Sequence, residues 1–329
     1  MKNRRKLVIA LGASALTAPF ASFAQKQPTK VPRIGLLSPF SSADTALWNQ
    51  AFRQGLRDLG WVEGKNISID YVYGDGKGDR LPVLTADLIR LKVDVIVAAE
   101  TNAALSAQSV TKSIPIVMAS VGDPVASGLV ASLARPGGNI TGLSQIASEL
   151  VAKRLELLKE IVPTLSRVAV LWNPQGVASV LNWKGIQPPA QKLGIQLQSL
   201  EVRSAGELDK AFEGVSKGRA GALAIMPDPV FVTNLKRIAD YAAKNRLPSI
   251  FHLSAFVDSG GLVAYGADRS DLFRRAATYV DNILKGAKPG DLPVEQPTKF
   301  ELVINMKTAK ALGIKIPNSI LLRADKLIE

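Results

Sequence analysis

From Arg33 onward the chain alternates short aliphatic and β-branched runs with stretches in which apolar residues recur every three or four positions. The first run, RIGLLS, predicts a strand. Leu47, Ala51, Phe52, Leu56 and Leu59 then share one helical face until Gly60 supplies a stop. ISIDYVY sets Ile67, Ile69, Tyr71 and Tyr73 on one face at period two, the mark of a strand, and a helix is predicted after it. VDVIVAA, IPIVMAS and NITGLS continue the series, with helices predicted from near Asn102 and near Pro124. Alternation of this kind is the signature of βαβ units in a doubly wound parallel sheet.

A second series begins after a helix predicted over about Glu149 to Val162. Its strands are RVAVLW, IQLQSLEV, GALAIM, LPSIFH and GLVAYG, again with helices between them. A helix from Asp268 to Lys285 is cut by GAKPGDLP, after which ELVIN, a short helix near Ala309 and SILLRAD close the chain. The tail reads as further passes between two lobes. The expected fold is therefore α/β, with residues 32–146 plus 264–290 in the first lobe and 147–263 plus 291–329 in the second.

The N-terminus changes the picture. Lys2, Arg4, Arg5 and Lys6 precede an apolar and small-residue stretch from Leu7 to Phe23, and Ser22-Phe23-Ala24 offers small residues where a signal peptidase reads. Gly12, Ser14, Thr17 and Pro19 interrupt a run already short of the ~20 apolar residues that a membrane span needs. Residues 1–24 are expected to be a signal peptide, and both general and twin-arginine export fit it. What remains, roughly 305 residues, suits two domains of ~150 residues.

The chain has no cysteine, so neither disulfides nor an acylated lipobox anchor is available. An exported receptor without a lipid tether needs an outer membrane to retain it, which points to a periplasm. The net charge of +13 loses four basic residues with the signal. The rest lie along helices, as in Lys153-Arg154 and Arg274-Arg275, with no basic block or aromatic ladder, so solvated helix faces account for them better than a nucleic-acid partner does.

The segments RLPVLTADLIRLKVDVIVA, GDPVASGLVASLARPGGNITG, KRLELLKEIVP with RVAVLWNP, MPDPVF, and GLVAYGAD through RRAATYVDNILKGAKPGDLPVEQPTKFELVINMKTAKALGI cover most of the chain in order. In them the chain resembles the ABC-transporter substrate-binding proteins of type I periplasmic-binding fold, the group that includes tryptophan-type aromatic amino-acid receptors. The resemblance implies two Rossmann-like lobes joined by three hinge strands, a ligand in the cleft, and docking of the closed form on a permease. GVASVLNWKGIQPP departs from the Asn-rich stretch more usual in the group after the NP pair, and this leaves the ligand open.

In open α/β sheets, ligands sit beyond the carboxyl ends of the strands, near helix N-termini. The residues there are Ser38, Phe40, Ser41, Ser42, Thr101, Asn102, Gly122, Asp123, Trp172, Asn173, Asp228, His252 and Tyr265. Free N–H groups and hydroxyls at the Ser41-Ser42 and Thr101-Asn102 turns suit a carboxylate, Asp123 and Asp228 suit an ammonium, and Phe40, Trp172 and Tyr265 suit apolar contact. The expected ligand is an amino acid or related carboxylate. Each residue also has a plainer reading. Ser42 reads equally as an N-cap, Asp123 before Pro124 and Asp228 before Pro229 as caps of helices that start with proline, and Trp172 as core. GDGKGD lacks EF-hand and P-loop spacing and reads as a connection.

An enzyme is disfavoured because one histidine, no cysteine and no G-x-S-x-G or G-x-G-x-x-G motif leave few candidate groups. No cofactor or metal is expected, and the protein is expected to be monomeric. The alternatives are a sensory protein that presents ligand to a membrane signalling system and a periplasmic enzyme.

Overall fold

The computed structural model describes residues 31–329. The expected signal peptide, residues 1–24, lies outside the described residues. The first half runs β1 (Arg33–Ser38), α1 (Ala46–Asp58), β2 (Ser68–Tyr73), α2 (Leu81–Arg90), β3 (Val95–Ala98), α3 (Thr101–Val110), β4 (Ile116–Val121) and β5 (Ile140–Ser144). These strands form a parallel sheet in the order β2-β1-β3-β4-β5. Strands β3 and β4 are buried throughout, so both of their faces must be covered by helices.

The second half continues with α4 (Ala147–Ile161), β6 (Arg167–Trp172), α5 (Val177–Lys192), β7 (Gln196–Glu201), α6 (Leu208–Gly218), β8 (Ala222–Ile225), α7 (Pro229–Val232), α8 (Leu235–Lys244), β9 (Ser249–Phe251), α9 (Ser254–Asp258) and β10 (Val263–Ala267). Next come α10 (Arg269–Leu284), β11 (Phe300–Asn305), α11 (Met306–Leu312), α12 (Asn318–Leu321) and β12 (Lys326–Ile328). The second sheet has the order β12-β11-β10-β9-β8-β6-β7, parallel except for the β10–β11 pair.

The structure differs from the sequence-based expectation at three places. No helix starts near Pro124. Residues 122–139 are turns and loop, in which the Leu129 and Val130 N–H groups both return to the Pro124 carbonyl and Gly128 takes a left-handed φ of 74° that ends the turn. Strand β10, expected in the first lobe, pairs with β9 and β11 in the second sheet. Helix α10 does return to the first sheet, where Phe273, Ala276, Ala277 and Val280 share a core with Ile34, Phe52 and Val97. The segment expected at 291 in the second lobe first lies beside β5, with Ser144 N–H on the Glu295 carbonyl at 2.9 Å and Glu295 N–H on Gly142 at 3.0 Å. Residues after β11 stay with the second sheet, and part of SILLRAD is helix α12.

The chain therefore passes between the lobes three times: between β5 and α4, between β10 and α10, and between residues 296 and 300. Apolar periodicity identifies a strand but not the sheet edge it joins, which explains the shifted boundaries. The α1–α10 contact is close because Gly55 lacks a side chain; a Cβ there would lie 2.4 Å from the Arg274 carbonyl oxygen.

Candidate functional site

The carboxyl ends of β1, β3 and β4 face those of β6, β8 and β9 across a cleft. Phe40, Thr101 and Gly122 come from the first lobe, while Asp228 and His252 come from the second. Together with Glu100, Gln145 and Arg269 they line an inner cavity. Its volume open to water centres is about 10 Å³, room for about one water. Outside it lies a wider cleft of about 980 Å³, lined by the Asp75–Asp79 loop, Asn102, Asn173, Gln175 and Arg203, and meeting the inner cavity at Asp228 and Pro229.

Four buried ionisable groups meet at the inner cavity, each no more than 6 % exposed. Glu100 is the N-cap of α3 and accepts the Asn102 N–H at 2.8 Å. Burial, and then the nearby Asp228, push its carboxyl up to about 7. Asp228 caps α7; its Oδ1 accepts the Val230 N–H at 3.0 Å and the Asn173 Nδ2 at 3.2 Å. Burial raises it to about 6 in spite of these two donors. Oδ2 of Asp228 takes no hydrogen bond from the described residues.

Arg269 stands at the first position of α10, on the second crossing between lobes. Its Nη2 lies 3.3 Å from His252 Nε2, and its guanidinium carbon lies 4.8 Å from the Trp48 ring and 5.5 Å from the Phe40 ring. A guanidinium only donates, so His252 Nε2 accepts and Nδ1 carries the proton. That Nδ1 is buried without a partner among the described residues, as are Arg269 Nε and Nη1. Burial, then Arg269 and Arg154, hold His252 well below its usual range, so it is neutral.

The thirteen expected residues divide. Phe40, Thr101, Gly122, Asp228 and His252 line the inner cavity, and Asn102 and Asn173 line the outer cleft. The other six line neither. Ser38 is buried and its Oγ accepts the Phe40 N–H at 3.1 Å. Ser41 bonds the exposed Asp44, with Oγ to Oδ2 at 2.7 Å, and Ser42 is exposed with its carbonyl on Thr45. Asp123 holds Ala126 N–H at 3.0 Å and Ser148 Oγ at 2.9 Å. Trp172 stacks on Trp183 at 5.3 Å and donates to Ser199, so it belongs to the core of the second lobe. Tyr265 stacks on Phe300.

Glu100, Gln145 and Arg269 line the inner cavity without being among the thirteen expected residues. Glu100 follows VDVIVAA directly, so the strand-end rule that selected Thr101 reaches it too. Arg269 opens a helix, a position where a cation opposes the dipole, and that misplaced charge was a signal. The atypical stretch after the NP pair becomes α5, which brings Ala178 to the inner cavity and Gly176 to the outer cleft. Among the described residues no three donors are grouped to hold a metal, and no helix is long and apolar enough to cross a membrane.

Comparison with known proteins gives a consistent result. Residues 34–328 match the family model described as ABC transporter substrate binding protein. A tyrosine-binding protein of Clostridioides difficile is 30% identical over 266 residues, 81% of this chain and 76% of that one. Among solved structures, a Streptococcus pneumoniae ABC domain in complex with L-Trp is similar with a TM-score of 0.84 and 27% identity, over 90% of this chain and 99% of that one. A ligand-free, open substrate-binding protein with adhesive properties from Clostridium difficile gives a TM-score of 0.66 at 26% identity, covering 91% and 99%. The fold is that of type I periplasmic binding proteins, and the matched proteins are substrate-binding proteins rather than enzymes.

Proposed function

The chain belongs to the ABC transporter substrate-binding protein family, and from that premise we propose that it is the exported, periplasmic receptor of an importer. It closes its two lobes around an amino acid or related carboxylate and presents it to a membrane permease. The observation that carries this reading is the inner cavity, where both lobes bring buried charge of both signs, Glu100 and Asp228 against Arg269, to one enclosed point. A zwitterion answers both signs, whereas an uncharged sugar would leave buried ions without partners.

An amino acid does not fit in room for one water, so the walls must part to admit it and close on it afterwards. The greater similarity to the L-Trp complex than to the open, ligand-free relative supports a closed lobe arrangement here. The three crossings serve as the hinge.

Native mass spectrometry of protein taken from its own cell envelope, followed by calorimetry against amino acids and uncharged sugars, tests the reading. Binding of an amino acid near micromolar, about −8 kcal/mol, with a smaller radius of gyration by scattering, is expected. Binding of sugars alone overturns it. N-terminal sequencing should begin at Gln25, and finding Met1 on a membrane-bound product would reject export of this kind. Sedimentation should show a monomer.

A further inference from the structure

The amino-acid reading leaves open which group receives the carboxylate, and four backbone N–H groups near the cleft, two of them in the turns expected to do so, are already taken. Asn102 N–H is held by Glu100, Ser41 N–H by Asp44, Gln175 N–H by Asn173, and Val230 N–H by Asp228. With His252 neutral, Arg269 is the one cation among the residues that line the inner cavity.

Its setting is unfavourable for a purely structural arginine. The side chain is 5 % exposed, and it makes no salt bridge with a carboxylate of the described residues; the nearby Glu100 acts on it only through space. It sits at the positive end of the α10 dipole, where a cation is disfavoured. Nε and Nη1 have no acceptor among the described residues. An apolar residue would fill the space between Phe40, Trp48 and His252 without these penalties. The fork geometry is also informative. Nη2 has two hydrogens and His252 takes one. If that is the hydrogen beside Nε, the edge formed by Nη1 and Nη2 stays free; if it is the other, the edge formed by Nε and Nη2 stays free. Either way one complete pair of parallel N–H groups remains, which is what a carboxylate accepts bidentately.

We propose that Arg269 receives the anionic end of the ligand through this open edge, and that Trp48 is the positioning residue that holds the guanidinium plane. The aromatic faces of Trp48 and Phe40, themselves edge-to-face at 5.6 Å, fix the plane from the first lobe, and His252 fixes its rotation from the second. Glu100 and Asp228 are left for the ammonium. Because Arg269 lies on a crossing between the lobes, the anionic contact is made at the hinge itself.

This assignment rests on the amino-acid reading, and the experiment separates the two. Calorimetry compares each acid with its amide: L-tyrosine with L-tyrosinamide, L-tryptophan with L-tryptophanamide, and L-alanine with L-alaninamide. The protein should prefer at least one acid over its amide by about 100-fold, the worth of two charged hydrogen bonds. Arg269→Gln should bring that acid down to the level of the amide, and Arg269→Lys should keep part of the preference. Trp48→Leu should weaken the acid about tenfold and leave the amide unchanged, which a merely structural loss would not do. Equal binding of acid and amide by the unaltered protein overturns the assignment, as does an undiminished preference in Arg269→Gln. If no acid or amide binds, the amino-acid reading itself fails. The molecule carried through purification then decides for Arg269: an anion lost in Arg269→Gln upholds the anion site, and an uncharged molecule overturns it. Where Arg269→Gln does not fold, as read by circular dichroism, the acid-to-amide ratio and Trp48→Leu still decide.

Discussion

Asp123 and Asp228 occupy matching places in the two lobes, each at the end of a parallel strand and each followed by proline, yet they do different work. Asp123 is half-buried, and both of its carboxylate oxygens are engaged, one by the Ala126 N–H and one by Ser148. Asp228 is buried, concentrates its two donors on Oδ1, and lines both the inner cavity and the outer cleft. The same dipeptide is a turn with both oxygens engaged in one lobe and, in the other, a carboxylate at a cavity with one oxygen that takes no hydrogen bond from the described residues. A strand-end carboxylate is thus a binding candidate when it is buried with unused lone pairs, and a cap when its neighbours have already used them.

The largest expected effect lies with Glu100, which faces Asp228 and shares its environment. Its folded-state carboxyl is raised from 4.5 to about 7, so the stability associated with its protonated form is complete below about pH 4.5 and is lost as pH rises through 7. The loss is of order 3 kcal/mol. Asp228, raised from 3.8 to about 6, adds a loss of the same sign in a lower window. Thermal unfolding without ligand should therefore show falling stability from pH 5 to 8, and Glu100→Gln should flatten the profile and be the more stable protein at pH 8. Amino-acid affinity should move the other way, rising over the same range, because only the ionised carboxylates hold an ammonium. A flat stability profile in the unaltered protein would remove Glu100 from the comparison.

The next effect separates cap from charge. Asp228→Asn keeps an oxygen for the Val230 N–H and removes the charge, so affinity should fall by roughly tenfold or more, about 1.5 to 3 kcal/mol, with the melting temperature little changed. If the melt collapses while affinity holds, Asp228 is a cap like Asp123.

A third variant acts on the free oxygen. A Cβ at Gly176 would lie 2.2 Å from Asp228 Oδ2, and the carboxylate cannot easily yield because its other oxygen is held by Asn173 and Val230. Gly176→Ala should cost about 1 to 3 kcal/mol by overpacking and weaken ligand binding with it. Unchanged calorimetry and melting would mean that Asp228 moves freely and is not preorganised.

Much of the fold was legible because buried parallel strands and amphipathic helices leave strong periods: RIGLLS, RVAVLW and the face of Phe52 and Leu56 are found where the pattern puts them. Sheet membership was less legible, since β10 is equally apolar whichever sheet it joins. At the site, position after a strand pointed to Thr101, Asp228 and His252, all three of which line the inner cavity. It could not tell Asp228 from Asp123, because the difference lies in Ser148 and Asn173, which are distant in sequence and supply partners only after folding. Trp172 was ambiguous for a similar reason: its partner Trp183 comes from α5 and draws it into the core. Arg269 was overlooked because a lone arginine at a helix start looks solvated until its burial is seen.

The smallest expected effect belongs to Asp123. Asp123 accepts the Ala126 N–H in the turn that follows β4 and also ties that turn to Ser148 on α4, just past the first crossing between lobes. Removing a cap of this kind costs about 1 kcal/mol, and the half-buried setting of Asp123 gives no reason for more. Asp123→Ala should therefore lower the melting temperature by a few degrees and leave amino-acid affinity within about twofold, since Asp123 does not line the cavity. Ser148→Ala should reproduce part of the loss, and the double variant should lose less than the two singles together, because both remove the same contact. A drop in affinity in Asp123→Ala comparable to that in Asp228→Asn would mean that the two aspartates act alike after all, and that the turn after β4 reaches the ligand when the lobes open.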